Sequence, residues 1–198
     1  MDLQEINQVT RYYSYNEYRD LVLSFAEHRI TSGEQTPEHI DATVINAQRM
    51  KRIDKQCVIN DELKRVIQSL TKRYTWLLLT EAWCGDSAQN IPVMAKMAEI
   101  NSNIHLKVIF RDENPQIMDA FLTNGSRAIP KLIFIGNEQV IGSWGPRPRA
   151  IQEMVLNFKQ AFPEATHDEF VTNLHLWYAR DKTQAIQQEF TELLKHYH

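Results

Sequence analysis

The order of short apolar strands and amphipathic helices in the middle of the chain most constrains the fold. Residues 74–80 form an apolar run of strand-forming residues bounded by charges, which is typical of a buried strand. A helical pattern at 88–100 separates this run from a strand pattern at 104–110, so it can serve as a parallel crossover. Residues 131–135 and 139–142 flank a Gly-Asn turn, which predicts an antiparallel hairpin.

Helical patterns complete this middle region and surround it. Within it, helices are predicted at 115–123 and 147–162, so the expected fold class is α/β, with a mixed sheet flanked by helices. Helices are also predicted on both sides of it. The domain prediction is therefore a helical N-terminal extension at 1–72, a sheet domain at 73–162, and a helical C-terminal extension at 163–198 that packs on the same domain.

Composition excludes several classes of protein. The 198 residues are 43% hydrophobic and 24% charged, as in ordinary globular proteins, and the net charge of −3 argues against general nucleic-acid binding. We expect no secretory signal and no membrane span, and hence a cytoplasmic location. A local surplus of basic residues between Arg49 and Arg73 is interpreted as a solvated helical face or, alternatively, as a surface for a partner or an anionic ligand.

The two cysteines, Cys57 and Cys84, are too few for a disulfide framework. Cys84 follows a predicted buried strand and precedes a helix, so its sulfur should lie near the free amides of the first helical turn. Such settings lower a thiol pKa from about 8.5 to between about 3.5 and 7.5. We therefore predict an exposed, partly ionised nucleophile, provided that the carboxylate of Asp86 points to solvent.

The turn around this cysteine resembles the active site of a known family. Trp83-Cys84-Gly85-Asp86-Ser87 resembles the thioredoxin turn Trp-Cys-Gly-x-Cys, and Pro92 falls where thioredoxins kink the same helix. The stretch 125–134, which contains Ile129-Pro130, resembles the segment that leads into the family's cis-proline strand. Segments 48–55 and 176–182 are similar to a little-characterised bacterial branch of the superfamily with helical extensions at both ends.

The resemblance implies a thioredoxin fold, a thiol–disulfide oxidoreductase and a set of site residues. It implies that the Ile129-Pro130 bond is cis, faces the cysteine and offers backbone hydrogen bonds to an extended substrate. Trp83 would be a surface aromatic residue beside the sulfur. The implied catalytic residues are Cys84 and Ser87, and the implied substrate-binding residues are Trp83, Gly85, Asp86, Ile129 and Pro130.

Two departures from the thioredoxin pattern point to a single-thiol mechanism. Ser87 replaces the second cysteine, which in thioredoxins attacks the mixed disulfide. Leu78 replaces the buried acid six residues before the first cysteine. We predict that a low-molecular-weight thiol, or a thiol of another protein, resolves a mixed disulfide on Cys84. Cys57 is interpreted as a buried structural residue, with a resolving role as the alternative.

Two other functions stay open at the level of sequence. The chain could be a thioredoxin-fold binding or scaffold protein without turnover. It could also resemble monothiol glutaredoxins, whose Cys-Gly-Phe-Ser turn is similar to Cys84-Gly85-Asp86-Ser87 and can hold an iron–sulfur cluster. The leading prediction has no cofactor and no metal site. Its partners are protein thiols or disulfides and a low-molecular-weight thiol, with no nucleic acid and no membrane.

Overall fold

The computed structural model describes residues 6 and 8–197, and its central strand is Tyr74–Thr80 (β1). Its four strands run in the order β2-β1-β3-β4, with β2 at Ile104–Phe110, β3 at Lys131–Gly136 and β4 at Gln139–Trp144. β1 pairs in parallel with β2 and antiparallel with β3, and β3 and β4 form an antiparallel hairpin. The predicted α/β fold class, with its mixed sheet and flanking helices, is confirmed.

Eight helices accompany the sheet within the described ranges. They are α1 (Tyr15–Glu27), α2 (Pro37–Gln56), α3 (Asp61–Gln68), α4 (Gly85–Glu99), α5 (Pro115–Ala120), α6 (Arg149–Ala161), α7 (His167–Asp181) and α8 (Gln184–Leu194).

The sequence explains several helix starts. Thr36 caps α2 through its side chain and Pro37 occupies the first helical position, where a missing N–H costs nothing. The helix after the cysteine begins at Gly85, three residues earlier than the periodicity predicts, because the Cys84 side chain itself occupies the cap position.

Alternation along β1 creates two apolar clusters on opposite faces of the sheet. Trp76 and Leu78 belong to the larger cluster, which also takes in side chains from α1, α2, α3, α4 and α8. Leu77 and Leu79 belong to the smaller one, which contains Cys84. Side chains on both faces of β1 are almost completely buried, as a strand of consecutive apolar residues predicts.

The helical extensions share the core of the sheet. Phe190 of α8 is fully buried and packs edge-on against the rings of Trp76, Phe134 and Trp144, with centroids 5.4–6.1 Å apart. At the N-terminal side, Tyr13 forms an antiparallel bridge with Val108 at the free edge of β2. The domain boundaries at 72 and 162 stay a prediction, although apolar contacts cross both of them.

Candidate active site

Cys84 lies where β1 ends and α4 begins. It is the N-cap residue of α4, and its Sγ accepts a hydrogen bond from the Ser87 amide at 3.5 Å. On its other side the thiol donates to the carbonyl oxygen of Ile129 at 3.3 Å. The Ile129-Pro130 bond is cis, as the resemblance implied. The structure therefore brings Cys84, Ser87, Ile129 and the adjoining Pro130 together around one sulfur.

The prediction that Cys84 is exposed and has a lowered pKa is wrong for this structure. Cys84 is only 7% exposed and packs in the apolar cluster that includes Leu79, Ile109 and Ile129. Burial, followed by the negative charge of Asp86, raises the pKa of the thiol to about 11, although the hydroxyl and amide of Ser87 oppose this rise. Burial destabilises the thiolate by more free energy than the hydrogen bonds from the helix amides stabilise it.

Asp86 does not point to solvent, which corrects the second condition of the sequence argument. Its carboxylate is buried and accepts hydrogen bonds from the Tyr178 hydroxyl at 2.7 Å and from Nε of Arg147 at 3.0 Å. Asn90 donates to the same hydroxyl at 3.0 Å. Asp86 is therefore fully engaged by side chains of its own chain, so it is not free to bind a substrate in this arrangement.

Trp83 and Ser87 each carry a buried polar atom without a partner among the described residues, namely the indole Nε1 and the hydroxyl Oγ. Trp83 is half-buried rather than a plain surface residue, because its ring stacks on His39 with centroids 4.3 Å apart. The guanidinium of Arg111 lies 5.0 Å from the same ring. Ser87 is 0% exposed, so its hydroxyl can serve only the sulfur beside it or a group that enters the site.

Gly85 allows two other helices to approach the cysteine turn closely. A β-carbon on Gly85 would lie 2.9 Å from Nε2 of His175 and 3.5 Å from Nη1 of Arg49. His175 belongs to α7 and Arg49 to α2. Burial, reinforced by the charges of Arg49 and Arg52, lowers the pKa of His175 to about 4, so its ring is neutral at pH 7.

A glycine also backs the proline. Gly145 has a φ of +118°, and a β-carbon there would clash with the carbonyl oxygen of Pro130. Only a residue without a side chain fits this position. The segment that follows carries Arg147 to the carboxylate of Asp86, so the turn after β4 supports both the proline and the acid.

Sequence reasoning missed four residues of this region: Arg147, Tyr178, His175 and His39. Two sequence signals pointed to this region of the structure. The segment 176–182, noted for its resemblance to other chains, contains Tyr178, and the basic surplus interpreted as a possible anion surface contains Arg49. Neither signal specified which atoms of α4 these side chains contact.

The second cysteine is free and lies in a different environment. Cys57 is buried in the larger apolar cluster, and its Sγ lies 3.6 Å from Oγ1 of Thr183. Burial is the largest cause of the raised pKa of this thiol. Leu78, at the position of the thioredoxin acid, is fully buried and apolar. Neither residue places a second reactive group beside Cys84.

A mixed sheet, a cysteine at the start of a helix and a cis-proline opposite its sulfur define the class of thioredoxin-like proteins. The family model described as Thioredoxin matches residues 33–166, which is more than half of the chain, so the chain belongs to this thioredoxin family. No curated protein matches the chain.

Two solved structures share the fold. One is a protein of unknown function from Pseudomonas aeruginosa, with a TM-score of 0.59 and 18% identity. The other is an HIV epitope scaffold, with a TM-score of 0.55 and 18% identity. In both comparisons, 92% of this chain and 98% of the other are covered. At this identity the likeness shows the fold, including the flanking helices.

No helix in the described ranges is both long and apolar enough to cross a membrane.

Proposed function

We propose that the protein is a thiol–disulfide oxidoreductase that works through Cys84 alone. The observation that carries this proposal is the position of its sulfur, between the Ser87 amide at the start of α4 and the carbonyl of Ile129 before cis-Pro130. A thiolate formed there has an amide donor and a helix terminus to stabilise it. Membership of the thioredoxin family supports the same chemistry.

The reaction consists of two exchange steps. The Cys84 thiolate attacks one sulfur of a substrate disulfide, a new S–S bond forms on Cys84, and the other substrate sulfur leaves as a thiolate. The thiolate of an external thiol then attacks the substrate sulfur of the mixed disulfide, forms a new S–S bond with it and releases the Cys84 thiolate. The external thiol is thereby oxidised into the new disulfide, while the substrate sulfur that left in the first step is reduced to a thiol. Ser87, which carries a hydroxyl instead of a second thiol, cannot make this attack.

The other predicted site residues have supporting roles in this proposal. Ile129 and Pro130 seat the backbone of the substrate, and Trp83 shapes the surface beside the sulfur. The buried hydroxyl of Ser87 donates to the thiolate once it forms, which gives that orphaned group a partner. Gly85 borders the substrate, while Asp86, which is held by Arg147 and Tyr178, tunes the charge near the sulfur without binding the substrate.

The raised pKa makes the proposed reaction strongly dependent on pH. With a pKa of about 11, roughly one Cys84 in ten thousand is ionised at pH 7. Because the thiolate is the reactive form, the rate should rise about tenfold per pH unit and level off only near the pKa. A substrate that supplies polar contacts to the sulfur would shift this dependence to lower pH.

The experiment measures release of glutathione from a glutathionylated test protein between pH 6 and 10, with excess reduced thiol present. Cys84→Ser should abolish the transfer that exceeds the uncatalysed rate, while Cys57→Ser should leave it nearly unchanged. Equal loss in both variants would contradict the assignment of Cys84 as the only nucleophile. Absence of transfer by the wild-type protein at every pH would contradict the oxidoreductase itself.

The second candidate is a binding protein that uses the thioredoxin fold without turnover. The burial of Cys84 and the raised pKa of its thiol favour it, as do Ser87 and Leu78 in place of the second cysteine and the acid. This candidate predicts no covalent trapping of disulfide substrates on Cys84, even at the high pH where its thiol ionises. Recovery of mixed disulfides on wild-type protein, absent from the Cys84→Ala variant, would rule it out.

A further inference from the structure

Arg49, Arg52 and His175 converge beside the cysteine turn, and no acid pairs with either arginine within the described residues. We propose that these three side chains bind a carboxylate of the low-molecular-weight thiol that exchanges with Cys84. This inference rests on the proposed oxidoreductase and names the class of its thiol substrate: a small thiol that carries negative charge.

Arg49 is the main part of this site. Its guanidinium is half-buried against Gly85, and its hydrogen-bond partner in the described residues is the neutral side-chain oxygen of Asn46, at 2.9 Å. Burial and the neighbouring charge of Arg52 lower the pKa of Arg49 to about 10, although the charge of Asp86 opposes this shift. A partly desolvated cation next to a like charge is unfavourable unless an anion compensates for it. A bound carboxylate provides that compensation.

Arg52 and Gln89 fix the orientation of His175. Arg52 can only donate, so its Nη2, 3.4 Å from Gln89 Oε1, places the oxygen of that amide toward the arginine. The amide nitrogen of Gln89 then donates to Nδ1 of His175 at 3.2 Å. A neutral ring that accepts at Nδ1 carries its proton at Nε2, and Nε2 is the atom that faces Gly85. The neutral histidine thus presents a donor beside the two arginines.

Asp86, the acid on the cysteine turn, compensates this cluster only in part. Its charge raises the pKa of Arg49, but its carboxylate is already bound by Arg147 and Tyr178. The free amides at the start of α4 add further positive potential to the region. An anionic group therefore meets positive charge that is only partly compensated, next to the residue that follows Cys84.

The position of the cluster suits a small thiol that is attached to Cys84. In the mixed disulfide the thiol is tethered to Sγ, and a β-carbon on Gly85, the next residue, would touch His175 and Arg49. A carboxylate several bonds away from the sulfur can reach these donors without any change in the exchange chemistry. A bidentate contact with Arg49 would also orient the disulfide for attack by the second thiol.

The test compares two disulfide substrates that differ in the charge of the cap. One is a test protein capped with glutathione, and the other is the same protein capped with glutathione whose two carboxylates are esterified. We expect the wild-type protein to favour the charged cap by about tenfold in kcat/KM, mainly through KM, which corresponds to about 1.4 kcal/mol. Arg49→Gln should reduce this preference to less than about twofold.

The matched control is Lys51→Gln, which removes an exposed positive charge from the same helix and should keep the wild-type preference. Equal use of both caps by the wild-type protein, or an unchanged preference in Arg49→Gln, would overturn the proposed carboxylate site. Neither result would contradict the proposed oxidoreductase activity. If the wild-type protein transfers neither cap, that result would instead contradict the proposed oxidoreductase activity.

A binding measurement tests the proposed carboxylate site even if the protein shows no turnover. S-methylglutathione keeps both carboxylates but cannot exchange, and its binding should raise the pKa of His175 measured by NMR, because an anion favours the charged ring. Arg49→Gln should remove this response and Lys51→Gln should not. No change in the His175 titration at millimolar S-methylglutathione would overturn the inference.

Discussion

The two cysteines of this chain occupy opposite ends of two helices. Cys84 is the N-cap residue of α4 and Cys57 is the C-cap residue of α2. The first position offers free amide hydrogens to a thiolate, while the second adjoins carbonyl oxygens that repel one. Nevertheless both thiols are buried, and burial is the largest cause of the raised pKa in each case. Solvation, rather than helix polarity, sets the resting pKa values.

The two sites differ in the groups that could stabilise a thiolate once the sulfur is exposed. Around its sulfur, Cys84 has an amide donor, a hydroxyl without a partner among the described residues, and a cis-proline. Cys57 has the hydroxyl of Thr183 and an apolar cluster. If the site around Cys84 opens, the amide and hydroxyl of Ser87 can therefore stabilise the thiolate that forms. If the site around Cys57 opens, it exposes a thiol without such donors apart from the hydroxyl of Thr183. Three substitutions test this comparison.

The largest effect is expected from Ile129→Ala, which removes part of the apolar wall next to Cys84. Partial hydration of the sulfur should lower its pKa, and alkylation of Cys84 by iodoacetamide at pH 7.5 should accelerate by about tenfold. Loss of a buried isoleucine side chain should also cost about 2–4 kcal/mol of stability. Mass spectrometry of each cysteine peptide gives both rates from one sample.

Cys57 is the internal control in that experiment, because unfolding would expose both thiols. An equal acceleration at Cys57 and Cys84 would mean that Ile129→Ala loosens the whole molecule rather than the site. That result would contradict the view that the environment of Cys84 is selectively prepared.

A smaller effect is expected from Asp86→Asn, which removes the negative charge that raises the pKa of Cys84 after burial. The pH profile of Cys84 alkylation should move to lower pH, with a rate increase of about threefold to tenfold at pH 7.5. Asp61→Asn, at an exposed position in the first turn of α3, is the matched control. A profile that does not move would show that Arg147 already neutralises the carboxylate.

The smallest effect is expected from Thr183→Ala, which removes the hydroxyl 3.6 Å from the sulfur of Cys57. That hydroxyl lowers the pKa of Cys57, so its loss should slow alkylation of Cys57 by about twofold and leave Cys84 unchanged. A change at Cys84 in this variant would show that the two sites are coupled through α4 and the C-terminal helices.

Much of the fold could be predicted because its signals are local. The apolar run at β1, the Gly-Asn turn of the hairpin and the Thr36-Pro37 helix start each specify their own segment. The cis-proline was predicted only through the resemblance, since composition and spacing give no sign of it. In each of these cases, a few neighbouring residues contain the whole signal.

The site departs from prediction wherever distant segments decide the outcome. Cys84 sits at a helix start, as the sequence indicates, but its exposure depends on Ile129 and the cluster around it. Asp86 is held by Arg147 and Tyr178, which follow it by 61 and 92 residues. Pairing across such separations leaves no periodicity in the sequence, so a helix position alone could not reveal the pKa of the thiol.

The place of Phe190 has a consequence for how this protein can be divided. Its ring fills the space between Trp76, Phe134 and Trp144, so α8 supplies part of the interior that a smaller member of the fold would have to close by other means. A chain shortened to end at residue 162 would present those three aromatic rings to water. The sheet that carries the cysteine turn therefore depends on α8 to complete its larger apolar cluster.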